Sequence, residues 1–128
     1  MGDKFNKLLM QFHANFVSTS ISGDYYQALF EENEGTTNPD SPYLLIQRQF
    51  EDEDDGKCYV ETHNLDYAGH FRLSRLDFRP DGISIDIDRS INSTIQVTFA
   101  MQATEFEKAL PVLNILSGKI EPYDEEPT

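Results

Sequence analysis

Gly82-Ile83-Ser84-Ile85-Asp86-Ile87-Asp88 places isoleucine at every second position, alternating with small or acidic residues. Successive side chains of a strand turn to opposite faces, so this period of two describes a strand with one apolar face. The preceding Arg79-Pro80-Asp81-Gly82 reads as a turn, because proline presets φ and glycine accepts a positive φ. After a second turn over Arg89 to Ser93, Ile95, Val97, Phe99 and Met101 repeat the alternation against Thr94, Gln96 and Thr98. Amphipathic strands joined by short turns are hairpins, and hairpins build antiparallel sheet.

Upstream, the same pattern continues. Phe16-Val17-Ser18-Thr19-Ser20-Ile21 is strand-like, Gly23-Asp24 offers a turn, and Tyr25 to Phe30 offers the returning strand. Residues 31–42 form a loop with Gly35, Pro39 and Pro42. Tyr43-Leu44-Leu45-Ile46 is apolar at consecutive positions, which marks a strand flanked on both sides. It runs on to Phe50, and Glu51-Asp52-Glu53-Asp54-Asp55-Gly56 connects it to a strand starting at Lys57. In that strand Cys58, Val60 and Thr62 face one way and Tyr59, Glu61 and His63 the other. A loop over 64–70 ends in Gly69. Phe71 and Leu73 then differ in parity from Leu76 and Phe78, so a bulge near Ser74-Arg75 is needed to put all four on one face.

The two ends of the chain have helical spacing. Phe5, Leu8, Leu9 and Phe12 stand at i, i+3, i+4 and i+7 behind a capping Asp3, which predicts a short helix over residues 3–12. Thr104-Glu105-Phe106-Glu107 has the form of a capping box. Phe106, Ala109, Leu110, Leu113 and Leu116 continue as one stripe closed by Gly118, with Pro111 predicting a kink. The expected architecture is α+β. It is a single domain with a curved antiparallel sheet of about six or seven strands and an N-terminal and a C-terminal helix packed on one face. The domain would cover residues 1–120, with 121–128 as an acidic mobile tail.

The chain has 128 residues, 10 Lys+Arg and 23 Asp+Glu, for a net charge of −13. That length suits one domain. Only 38% of residues are hydrophobic, but 9 Phe and 6 Tyr bury much area each, so a packed core is expected. The negative field opposes nucleic acid and anionic membrane and favours a basic protein partner. A single cysteine, Cys58, excludes an internal disulfide. No signal-peptide pattern and no long apolar run is present, so the expected location is cytoplasmic. Oligomeric state is not legible in the residues.

Candidate chemistry is sparse. Acids at 51, 53 and 55 followed by Gly56 resemble the start of a calcium loop, but the twelfth position, which should be a bidentate glutamate, is Thr62. His13, His63 and His70 lack zinc spacing, so no metal and no cofactor is expected. Cys58 shares parity with Val60 and reads as an inert core thiol. Asp86 and Asp88 share a strand face and could act as an acid–base pair, although the wet side of a strand explains them as well. No phosphate loop, nucleophile elbow or dinucleotide fingerprint occurs, and no catalytic residue is assigned. What remains is the charge pattern. Residues 31–55 carry the acids Glu31, Glu32, Glu34, Asp40, Glu51, Asp52, Glu53, Asp54 and Asp55 against the single base Arg48. They fall in two loops that begin at opposite ends of one strand.

Pro42-Tyr43-Leu44-Leu45-Ile46-Gln47-Arg48, the acidic hairpin and Cys58-Tyr59-Val60-Glu61 together resemble the core of the immunity protein 10 family of bacterial polymorphic toxin systems. The similarity continues through a glycine-containing loop before Phe71, the strands at Gly82–Ile87 and Ile95–Phe99, and the helix around Leu110-Pro111-Val112-Leu113. It spans roughly residues 24–117; residues 1–22 and the acidic tail depart from it. The resemblance implies a small cytoplasmic, non-enzymatic immunity protein that binds and neutralises a cognate toxin domain. It has no catalytic motif to carry over. The charge pattern makes that toxin basic, with Glu51, Asp52, Glu53, Asp54 and Asp55 as the first candidates for binding it and Glu31, Glu32 and Glu34 as the second. The alternatives are an adaptor or secretion chaperone that binds protein segments, and a small hydrolase-like enzyme.

Overall fold

A computed structural model describes residues 8–33, 40–49, 56–64, 68–88 and 93–118. These form eight strands and one helix: β1 (Leu8–His13), β2 (Phe16–Ser22), β3 (Tyr25–Glu31), β4 (Tyr43–Gln49), β5 (Lys57–Thr62), β6 (Gly69–Arg79), β7 (Gly82–Ile87), β8 (Thr94–Thr98) and α1 (Ala103–Leu116). The strand order is β1-β8-β7-β6-β5-β4-β3-β2. The chain from β2 to β8 is a run of antiparallel neighbours. β1 breaks the pattern by pairing parallel with β8, so the sheet is mixed.

This corrects the expected architecture in three ways. The sheet has eight strands and is mixed, and it is covered by a single C-terminal helix. The predicted N-terminal helix is absent from its described part, because residues 8–13 are strand β1. Met10, Phe12 and Ala14 also alternate, and the unpaired edge of β8 supplies a hydrogen-bonding partner for that alternation. In so short a segment the helical and strand templates both fit, and the neighbour decides.

The residues between β1 and β2 hold the sheet in its curl. Consecutive in the chain, these two strands lie at opposite ends of the strand order. The Ala14 amide donates to the Thr98 carbonyl at 2.8 Å, and the next amide, Asn15, donates to the Glu31 carbonyl at 2.9 Å. Two adjacent residues therefore bind the C-terminal ends of β8 and β3, and the sheet must curve far enough to bring those ends together.

The core fills the inside of that curve. Ala28, Phe30, Leu44, Ile46, Cys58, Val60, Ile83, Ile85, Ile87, Ile95 and Val97 are buried on the inner face. α1 packs over them with Ala109, Val112, Leu113 and Leu116, and lies against β2, β3, β4 and β6. A row of rings ties the helix to the sheet. Phe30 stacks on Phe99 at 5.6 Å, Phe99 tilts against Phe78 at 6.1 Å, and Phe78 stacks on Phe106 at 4.9 Å. The expected β6 bulge falls between Leu73 and Arg75 and brings Leu76 and Phe78 onto the face of Phe71 and Leu73.

Local signals are right in kind and sometimes wrong in detail. Gly118 closes α1 with φ 83°, as expected for a left-handed C′ residue. The N-cap is Gln102, whose amide donates to Glu105 Oε1 at 3.1 Å, and not Thr104. The helix starts at Ala103, which places Thr104 already inside its first turn. Gly82 does not adopt positive φ. Its need for glycine is one of space: an added Cβ would come 3.0 Å from the Val97 carbonyl oxygen of the neighbouring strand.

Candidate functional site

The predicted acidic residues divide into those the structure places and those it does not describe. Glu34 and Glu51, Asp52, Glu53, Asp54 and Asp55 lie outside the described residues. Glu31 closes β3 and Glu32 follows it, both half-buried. The loop between β3 and β4 is pinned at its base: the Glu32 amide donates to the Pro42 carbonyl at 3.1 Å and Asn33 Nδ2 to Ser41 Oγ at 3.2 Å. Glu31 pairs with Tyr43 at one end of β4, whereas the chain enters residues 50–55 from the other end, where Gln49 pairs with Tyr25. The two acidic loops thus leave β4 at opposite ends.

Glu31 instead belongs to a groove. It lies where β2 parts from the β8–α1 connection, beyond the closure at Ala14 and Asn15. The groove holds about 340 Å³ and is lined by Phe16, Val17, Ser18, Phe99 and Met101, with Glu31 and Glu105 among the lining residues. Phe99 is fixed from behind by the ring row, so that wall is rigid. Phe16 is 41% exposed. The groove surface is mostly polar, with apolar patches from Phe16, Val17, Phe99 and Met101 and with two glutamates among its residues, which suits a long cationic side chain: its methylene stem covers carbon and its head meets polar and acidic groups. Sequence reasoning named Glu31 for its loop charge but missed Glu105, because it placed the helix cap at Thr104 and gave the capping role to Glu107.

The outer face of β3 to β6 carries a second constellation. Gln27, Gln47, Tyr59 and His70 stand in one cross-strand row. Gln47 donates to Gln27 at 2.7 Å and accepts from Tyr25 Oη at 3.0 Å. The hydroxyls of Tyr43 and Tyr59 both donate to Glu61, Tyr59 at 2.7 Å. Partial burial, then the hydrogen bond to Glu61, raises the Tyr43 phenol well above its ordinary value. The Glu61 bond, then burial, raises Tyr59. Both stay protonated at neutral pH, so the two tyrosines present neutral hydroxyls that donate to Glu61.

The other candidate chemical groups are committed to partners. Asp86 accepts from Arg75 Nε at 2.9 Å and from Thr94 Oγ1 at 2.6 Å, while Arg75 also reaches Ser84 Oγ at 2.8 Å and Asp77. The guanidinium is thereby the partner of Asp86. Asp88 is exposed, with its amide donating to the Arg72 carbonyl. Cys58 is 1% exposed and its thiol donates to the Leu116 carbonyl at 3.2 Å, which fixes the end of α1. Thr62, the twelfth position of the calcium pattern, is buried and hydrogen-bonded to the backbone of Asn64. The histidines are dispersed: His13 bonds Thr98, His63 accepts from the Tyr43 amide, and His70 tilts against Tyr59 at 5.3 Å. Among the described residues no group of three His, Cys, Asp or Glu is arranged to hold a metal ion, and no helix is long and apolar enough to cross a membrane.

Compared with known proteins, the chain matches no family model and no curated protein.

Proposed function

We propose that this chain is a non-enzymatic binding protein of immunity type, which neutralises a basic toxin domain by occupying its cationic surface. The observation that carries this reading is the mostly polar groove that includes Glu31 and Glu105 and no lysine or arginine, on a chain of net charge −13. A basic toxin would be drawn in by the long-range field and held where a cation loses water against these carboxylates. The acids of residues 51–55 serve in the first step, as steering charge. The partner set is therefore protein, and the cytoplasm is where such an inhibitor would act on its producer's own toxin.

Mixing the chain with the toxin domain encoded beside it tests the reading. Formation of a stoichiometric, tight complex that abolishes toxin activity is expected, with an association rate that falls as salt rises. Absence of a complex refutes it. Reversing Asp52, Asp54 and Asp55 to lysine should slow association about tenfold or more at low salt without unfolding the chain, because steering charge acts on the encounter rate and exposed charge adds little to stability. The adaptor reading is favoured by one feature, strand β2, which among the described residues is paired on one side only. It predicts many unrelated clients and weak salt dependence, where the immunity reading predicts one partner and strong salt dependence.

A further inference from the structure

We infer that the outer edge of β2 is a docking rail, along which an extended basic segment of the partner protein adds to the sheet and seats one cationic side chain beside Glu31 and Glu105. The inference rests on the basic-partner function and specifies how that partner is held.

Among the described residues β2 is hydrogen-bonded along one side only, to β3, through an unbroken register from Phe16 with Glu31 to Ser22 with Tyr25. The far side of a paired strand presents amide and carbonyl groups at regular spacing, a template for a further strand. Protein edges are ordinarily blunted by lysine, proline, a bulge or inward charge. Phe16-Val17-Ser18-Thr19-Ser20-Ile21-Ser22 has none of these: it is uncharged, free of proline and glycine, and regular throughout. Phe16 and Ile21, near its two ends, are 41% and 55% exposed, and are among the few large apolar side chains so exposed. The groove lies along the first half of this edge and includes Phe16, Val17 and Ser18.

Charge selects the occupant. The groove residues include two carboxylates and no lysine or arginine. A second copy of the chain would bring another −13, and residues 119–128 carry four acids against one base, so both are repelled. A segment alternating basic and apolar residues matches on both counts. Its backbone continues the ladder; Phe16 and Ile21 lie on opposite faces of the regular strand, so apolar side chains cover Ile21 on one face while basic ones lie over Phe16 and its cross-strand neighbour Glu31 on the other.

The test uses the full chain and a capped peptide of alternating arginine and valine, with a glutamate–valine peptide of equal length as control. Binding is read by fluorescence anisotropy, and its place by hydrogen exchange of the β2 amides. The arginine peptide should bind, slow exchange of those Phe16–Ser22 amides that point away from β3, and lose about tenfold or more in affinity in both Glu31→Lys and Ser18→Lys, since like charge at a docking edge acts as a gatekeeper. Glu107→Lys, an equal charge change at an exposed helix position outside the groove, should alter affinity about twofold or less. Equal binding of the acidic peptide, equal loss in Glu107→Lys, protection in the free chain of the β2 amides that point away from β3, or a dimer joined through β2 would each overturn the rail. If the toxin domain is still tightly bound and neutralised by Ser18→Lys and Glu31→Lys, the rail fails while the immunity function stands. If the peptide docks as described and no toxin is bound, the reverse holds.

Discussion

Phe99→Ala probes the wall that gives the groove its shape. Phe99 is 4% exposed and sits between Phe30 and Phe78, with ring centroids 5.6 and 6.1 Å away. Truncating a buried phenylalanine removes its transfer free energy and leaves a cavity, together about 3–5 kcal/mol. Loss of two ring pairs, each worth about 0.5–1.5 kcal/mol beyond area, puts Phe99 in the upper part of that range. Set against a total stability of about 5–15 kcal/mol, this is a large fraction. With a urea slope of about 2 kcal/mol/M, the unfolding midpoint should fall by about 2 M at unchanged slope. Far-UV circular dichroism is the suitable probe, since the chain has no tryptophan. Phe16→Ala is the matched control, because it lines the same groove at 41% exposure and should cost about 1 kcal/mol or less. A double-mutant cycle of Phe30→Ala and Phe99→Ala should show coupling of about 1 kcal/mol. If Phe99→Ala cost no more than Phe16→Ala, or the two core substitutions were additive, the ring row would not be holding this wall.

Other perturbations follow from single contacts. Gly82→Ala should destabilise by about 1–3 kcal/mol through overpacking against the Val97 carbonyl, measured by the same urea titration; a neutral result would mean that β7 and β8 part easily there. Arg75→Met should cost about 1–2 kcal/mol by removing the guanidinium that pairs with half-buried Asp86, whereas Arg79→Met, at an exposed pair with Asp81, should cost little. The Tyr43 phenol is raised in the folded state by partial burial and Glu61, so its contribution to stability is complete below pH about 10 and declines as pH rises above that value, where the unfolded chain releases its proton first. Spectrophotometric titration should therefore show delayed tyrosine ionisation, made earlier by Glu61→Gln. Cys58 should resist thiol reagents in the native chain and react fully in denaturant; rapid native labelling would contradict its burial under Leu116.

Much of the strand pattern was legible because it is local. The alternations of β5, β7 and β8 required no knowledge of a partner, and the parity change between Leu73 and Leu76 was enough to place the bulge. Residues 8–13 misled because Leu8, Leu9 and Phe12 satisfy a helical spacing while Met10 and Phe12 satisfy a strand spacing. The arbiter, β8, pairs Leu8 with Thr94, far along the chain. For the site, Glu31 could be named from charge alone. Glu105 could not, since nothing in the sequence says that the start of α1 lies beside the edge of β2.

The order of amino acids alone determined an acidic, aromatic-rich domain of alternating strands ending in a helix, since period, turn chemistry and charge are properties of neighbouring residues. Only the tertiary structure decided that β1 runs parallel to β8, that Ala14 and Asn15 hold the curled sheet, and that among the described residues β2 is paired on one side only, beside a groove that includes Glu31 and Glu105. Those outcomes depend on hydrogen bonds between residues distant in sequence, and a backbone amide carries no side-chain mark of the carbonyl it will find.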